Sequence, residues 1–187
     1  MQDRLFGILD EHYKEMVDIR RYLHQHPELS FQEVATPAYI ADYHRQLGHH
    51  VRTEVGGRGV VAVLHGSKPG KTVALRADFD AFPIQEETDV PYKSKVDGVM
   101  HACGHDGHTA TLLVLAKALN HMRDQLAGTI VFIHQHAEEY APGGAIEIIA
   151  DGCLEGVDVI FETHLSSVLP YGSVQYRTGP IMAAADR

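Results

Sequence analysis

The sequence predicts an α/β fold: a three-layer α/β/α arrangement around a largely parallel mixed sheet. Three observations carry this. Short runs rich in β-branched residues, GVVAVLHG (59–66), TVALRAD (72–78), TIVFIHQ (129–135) and VDVIFETH (157–164), are apolar along most of their length, as strands covered on both faces are. Longer segments between them repeat apolar residues at helical spacing. The chain alternates the two kinds, the order that yields parallel strands joined by helical crossovers.

Each element can be justified in turn. Residues 4–23 set Leu5, Ile8, Leu9, Met16, Val17 and Leu23 close to one helical face. A second helix is expected over 35–47, with Pro37 in its first turn, where a missing N–H costs little, and Gly48 ending it. SKPGK (67–71) is turn-rich, so strands 59–66 and 72–78 are expected side by side. TATLLVLAKALNHM (109–122) is apolar enough for a buried helix. Strand 129–135 follows Gly128, a short helix is expected over 143–152, and a strand over 157–164. GSVQYRTG (172–179) alternates weakly, as an edge strand would. No internal repeat, low-complexity tract or linker interrupts the chain. Its 187 residues, 44% of them apolar, suit one sizeable core.

Composition excludes several function classes. Lysine and arginine number 16 against 25 acidic residues, for a formal charge of −9, and no basic cluster is placed to neutralise successive phosphates. Neither nucleic acid nor a membrane is an expected partner. The N-terminus mixes charges throughout, unlike a signal or transit sequence, and no apolar run approaches the ~20 residues that span a bilayer. A cytoplasmic location is therefore expected. Two cysteines make no disulfide framework, and 14 histidines favour a metal site.

Chemistry gathers where strands end. In sheets of this kind ligands sit beyond the carboxyl ends of the strands. Strand 72–78 runs into Asp78 and Asp80, strand 129–135 into Glu138 and Glu139, and strand 157–164 into His164, while Cys103 and His105 precede a buried helix. Cys103 and His105 stand two residues apart, on one side of an extended backbone, with Gly104 free to turn between them. A thiolate, imidazoles and carboxylates together suit zinc, manganese, cobalt or nickel better than calcium or magnesium. Adjacent Glu138 and Glu139 point to opposite sides of an extended chain, so one can bind metal while the other takes a proton from water acidified by the cation, the chemistry of amide hydrolysis.

Each residue also has a plainer reading. Asp78 and Asp80 can cap a strand near Arg76, Glu138 and Glu139 can form a solvated turn, and His164 can be a loop histidine. His24 and His26 are as well explained by capping before Pro27 as by ligation. His101, His108, His134 and His136 read as supporting residues, Cys153 as core, and Phe79, Phe82 and Tyr140 as packing.

Five ordered motifs, LHQHPELSFQE (23–33), ALRADFDAFPIQEE (74–87), MHACGHDGHTA (100–110), HQHAEE (134–139) and THLSS (163–167), resemble the N-terminal half of the catalytic domain in the amidohydrolase branch of the M20 metallopeptidases. That resemblance implies a zinc-peptidase-like fold, incomplete in these residues, and two divalent metal ions (Mn, Zn, Co or Ni), with Cys103, His105, Glu139 and His164 as ligands. It makes Glu138 the general base and Asp80 a residue that orients ligands, and leaves Asp78 a doubtful ligand, since related branches carry histidine there. The implied reaction is hydrolysis of the amide bond in small N-acylated amino acids. Dipeptidase or aminopeptidase action, and an inactive metal-binding fragment, are the alternatives. The sequence departs from the family in carrying His136 in place of proline and Thr163 in place of glycine. Family members continue past TGPIMAAADR into a lid and dimerisation domain and a last catalytic segment. Residues 1–187 are accordingly expected to be the N-terminal portion of a catalytic domain whose full-length form is a homodimer or homotetramer.

Overall fold

The computed structural model describes residues 1–180. Its elements run α1 (Gln2–Glu11), α2 (Tyr13–Gln25), α3 (Ala35–Gln46), β1 (His50–Val55), β2 (Gly59–His65), β3 (Lys68–Asp78), α4 (His105–His121), a 3-10 turn (Arg123–Gln125), β4 (Ala127–Gln135), α5 (Gly144–Ala150) and β5 (Val159–Glu162). The five strands form one mixed sheet in the order β1-β2-β4-β3-β5. β4, β3 and β5 are parallel, and β1 and β2 extend that core antiparallel.

Period-two alternation sorts the strand side chains between faces. Ala62, Leu64, Ala77 and Phe132 meet Leu112, Ala116 and Leu119 of α4. The same helix turns Ala110, Leu113 and Val114 toward Ile19 and Leu23 of α2 and Ile40 and Ala41 of α3. Val61, Ala74, Val131 and Ile133 face the other way, onto Ile148 of α5 and Cys153, so Cys153 is a core residue. α5 covers only part of that face. Val159, Ile160 and Phe161 of β5 are 39, 46 and 58% exposed.

Several expectations need correction. The 4–23 helix is two helices broken at His12, where the apolar spacing lapses between Leu9 and Met16. Strands β2 and β3 are not neighbours, because β4 lies between them. SKPGK marks a crossing under the start of β4, where the Gly66 and Ser67 N–H groups donate to Gly128 and Leu126 carbonyls. β1 was not expected: its polar, largely exposed sequence HVRTEV pairs only with β2. Helix α4 begins at His105, four residues early, and residues 172–179 form no strand. Among the described residues that segment pairs with no strand, and Val174 and Tyr176 are about fully exposed.

Where β3 and β4 begin, their register shifts between Lys68 and Thr72 and Gly128 adopts φ +86. A Cβ there would sit 2.0 Å from the Lys71 carbonyl oxygen and 2.9 Å from the Gly70 carbonyl carbon. Gly128→Ala is therefore expected to destabilise the fold by ~2–4 kcal/mol, strain and overpacking combined. Urea unfolding reads this as a lower midpoint with an unchanged slope.

Candidate metal centre

β3, β4 and β5 present their carboxyl ends at one edge of the sheet, and α4 starts beside them. Gly104, at φ +88, caps α4, so Cys103 and His105 are set by a loop-to-helix turn and not by the extended stretch expected. After β4 the chain kinks at Ala137, φ +48, before delivering Glu138 and Glu139. Two buried carboxylates hold that kink: Glu33 Oε1 accepts the Ala137 N–H at 2.9 Å, and Asp80 Oδ2 accepts the Glu139 N–H at 3.0 Å and the Ser30 hydroxyl at 2.6 Å. Burial pushes Glu33 up to about 7.

The candidate ligands meet at this edge. Cys103 Sγ lies 3.4 Å from His164 Nε2. His105 Nε2 is 3.2 Å from Glu139 Oε1, 3.9 Å from Glu138 Oε2 and 3.6 Å from Asp78 Oδ2. Donor atoms of Cys103, His105 and His164, and of His105, Glu138 and Glu139, lie within 4.8 Å of one another in each trio. His105 Nδ1 donates to Asp80 Oδ1 at 3.1 Å, which leaves its Nε2 lone pair facing the carboxylates. Asp80 is held below the usual carboxylate range: burial opposes this, but His105, Ser30 and the backbone at 138–139 favour its charge.

Electrostatically the site favours a cation. Buried His105 Nε2 and Glu139 Oε1 have no hydrogen-bond partner, a costly state for polar atoms out of water. Burial and the carboxylates of Glu139, Asp78 and Glu138 push the Cys103 thiol up to about 12, and burial raises Glu139. These residues would hold a divalent ion, which would take up the orphaned lone pairs of His105 and Glu139, offset the carboxylates and favour the Cys103 thiolate. The residues present fit such a group.

Other expected residues have partners of their own. Asp78 is engaged elsewhere, with Oδ2 on Arg76 at 2.8 Å and Oδ1 on His108 at 2.7 Å. His24 is buried between Asp106 (2.8 Å) and Glu86 (3.3 Å); Arg20 also reaches Asp106 at 2.8 Å. His26 bonds the Tyr22 carbonyl at 2.7 Å, at the end of α2. His136 turns toward Glu147 of α5, 3.4 Å away. His134 joins His44 and His49 in the core. Phe79 is buried and Tyr140 is 65% exposed, so Tyr140 lines no core. Sequence reasoning gave no role to Ser30, Glu33, Glu86 or Asp106. Their signal was present only as polar residues inside LHQHPELSFQE, ALRADFDAFPIQEE and MHACGHDGHTA, without a period to say which would be buried.

The fold and this edge define the chain as an α/β protein with a candidate metal centre at the carboxyl ends of its parallel strands. Residues 74–180 match the model of peptidase family M20/M25/M40, and the chain belongs to that family. It is 64% identical over 187 residues to YhaA of Bacillus subtilis, named provisionally as an amidohydrolase, covering all of this chain and 47% of that one. To the N-acyl-L-amino acid amidohydrolase of Geobacillus stearothermophilus it is 48% identical over 186 residues, 100% of this chain and 50% of the relative. Its structure resembles that of YXEP from Bacillus subtilis, described as a dinuclear metal-binding M20 peptidase, with TM-score 0.81, 44% identity, and coverage of 86% of this chain and 45% of that one. The chain thus spans about half the length of the curated relatives it matches. No helix among the described residues is long and apolar enough to cross a membrane.

Proposed function

We propose that the full protein hydrolyses the amide bond of N-acylated amino acids. Cys103, His105, Glu139 and His164 hold two divalent cations, Asp80 orients His105, and Glu138 is the general base. The observation that carries this reading is the meeting, at one sheet edge, of lone pairs from three separate segments, two of them buried without partners. The substrate class is supported by the Geobacillus stearothermophilus relative, whose name specifies N-acyl-L-amino acids.

When bound, divalent cations supply Lewis acidity toward an amide carbonyl and make water acidic near neutral pH. The chain's own residues do the rest. Glu138, 41% exposed and 3.9 Å from His105 Nε2, removes a proton from the attacking water at a carboxylate oxygen and delivers it to the departing amine nitrogen. Asp80 fixes the His105 ring and, through the Glu139 N–H, the backbone beneath both glutamates.

In this reading residues 1–187 are the N-terminal portion of the catalytic domain, and later segments of the full protein cover β5 and complete the site. The 39–58% exposure of three consecutive apolar residues on β5 favours a second reading for the 187-residue piece alone: an inactive metal-binding fragment that self-associates through that edge. One assay addresses both. The full protein, supplied with Mn, Zn, Co or Ni, is expected to release free amino acid from N-acetyl and N-benzoyl substrates, and residues 1–187 alone to release little. No release by the full protein with any of the four metals would refute the hydrolase reading.

A further inference from the structure

His108 and Asp78 form, with His105, a third trio of metal-type donors, yet their hydrogen bonds argue against ligation. Asp78 Oδ2 faces the Arg76 guanidinium at 2.8 Å, and Arg76 also meets Glu162 Oε2 at 3.1 Å. Asp78 Oδ1 lies 2.7 Å from His108 Nδ1. His108 Nε2 lies 2.8 Å from the Leu165 backbone nitrogen. A backbone N–H only donates, so Nε2 must be the bare nitrogen and Nδ1 must carry the proton given to Asp78. Both His108 nitrogens and both Asp78 oxygens are thereby occupied.

The far end of this chain bears on His164. Its Nδ1 is 2.5 Å from the Leu165 carbonyl oxygen, and a carbonyl only accepts. Nδ1 therefore holds the proton, and the Nε2 lone pair is directed at Cys103, 3.4 Å away. The Leu165 N–H is fixed by His108 and its C=O receives the His164 ring. Packing holds the same residue independently: a Cβ on Gly107 would lie 2.5 Å from Leu165 Cδ1, so the glycine one turn into α4 makes room for that side chain.

Resting on the metal-centre reading above, we infer that His108 is a positioning residue: held by Asp78, it latches the Leu165 peptide onto α4 and so aims His164 Nε2 at the cations. His164 needs such a device because it lies on an exposed segment just beyond the short strand β5, with no helix or strand of its own to orient it.

Asparagine and glutamine separate the two ends of the latch. The Asn amide falls where Nδ1 stands, keeping the donor to Asp78 and losing the acceptor for Leu165; the Gln amide reaches the Nε2 position and can accept from Leu165. In the full chain, titrated with Co(II), His108→Asn is expected to weaken binding about 10- to 100-fold, the usual cost of losing a ligand's supporting partner, while His108→Gln restores most of it. Metal-free melting temperatures of the two variants should agree, a result that filling space alone would not couple to unequal cobalt affinity. Leu165→Pro removes the N–H with His108 intact and should copy His108→Asn, with Leu165→Ala as its side-chain control. Equal, wild-type affinity in the Asn and Gln variants would overturn the latch. Equal, severe loss in both would overturn it too, since His108 would then be a ligand. His164→Ala separates the premises: if it leaves cobalt binding unchanged, the metal-centre reading itself fails, whereas loss there alongside wild-type His108→Asn defeats only the latch.

Discussion

Glu138→Gln is expected to lower turnover by roughly 10²–10⁴-fold, the range a positioned general base contributes, while leaving metal content unchanged. The amide is nearly the same size and keeps an acceptor oxygen, but it cannot take a proton. Glu138 is the more exposed of the two glutamates, 41% against 14% for the Glu139 side chain. Glu139 instead turns Oε1 to within 3.2 Å of His105 Nε2, and Glu139→Gln should cost metal as well as rate. Steady-state kinetics with metal analysis on both variants checks the division of labour. Turnover surviving in Glu138→Gln would remove the base from the account.

Acid should unfold the protein from the core outward. His44 and His134 are fully buried, joined through Nε2 atoms 3.0 Å apart, and His44 Nδ1 meets His49 Nδ1 at 3.0 Å. Burial, reinforced at His44 by the neighbouring rings, lowers His44 from 6.5 to about 2 and His134 to about 3. Both rings stay neutral in the folded state at pH 4, where the unfolded chain protonates them. The unfolded state thus binds more protons, so stability is fully present above about pH 6.5 and falls as pH drops toward the folded values. Linkage puts the loss at pH 4 at roughly 3 kcal/mol for each histidine, a large part of an ordinary domain's stability. Circular dichroism against pH should show helix lost as the pH falls toward 4. The double variant His44→Leu/His134→Leu should unfold at clearly lower pH, and an unmoved midpoint would contradict this assignment.

Much of this molecule could be read before its structure. Helix α4 and strands β3 and β4 were legible because their apolar runs are long, and because ligand-type side chains collect beyond the carboxyl ends of such strands. Asp78, Asp80, Glu138, Glu139 and His164 followed from that rule. What escaped was set by contacts distant in sequence. The insertion of β4 between β2 and β3 depends on pairing that a turn signal between them does not encode. β1 is an exposed edge strand with no apolar pattern. The parts played by Ser30, Glu33 and Asp106 come from packing α2 against α4, and the loop after α2 against the segments beyond β3 and β4, which brings together groups 50 to 104 residues apart. His108 looked like a supporting residue, and only the direction of the Leu165 N–H says what it supports.

In the proposed site, sulfur, imidazole and carboxylate donors from separate segments grip the same cations. X-ray absorption at the zinc edge of the zinc-loaded full protein tests it most directly. One sulfur scatterer is expected at about 2.3 Å beside nitrogen and oxygen ligands near 2.0–2.2 Å, with the sulfur gone in Cys103→Ser. A shell of nitrogen and oxygen alone in the unaltered protein would contradict it.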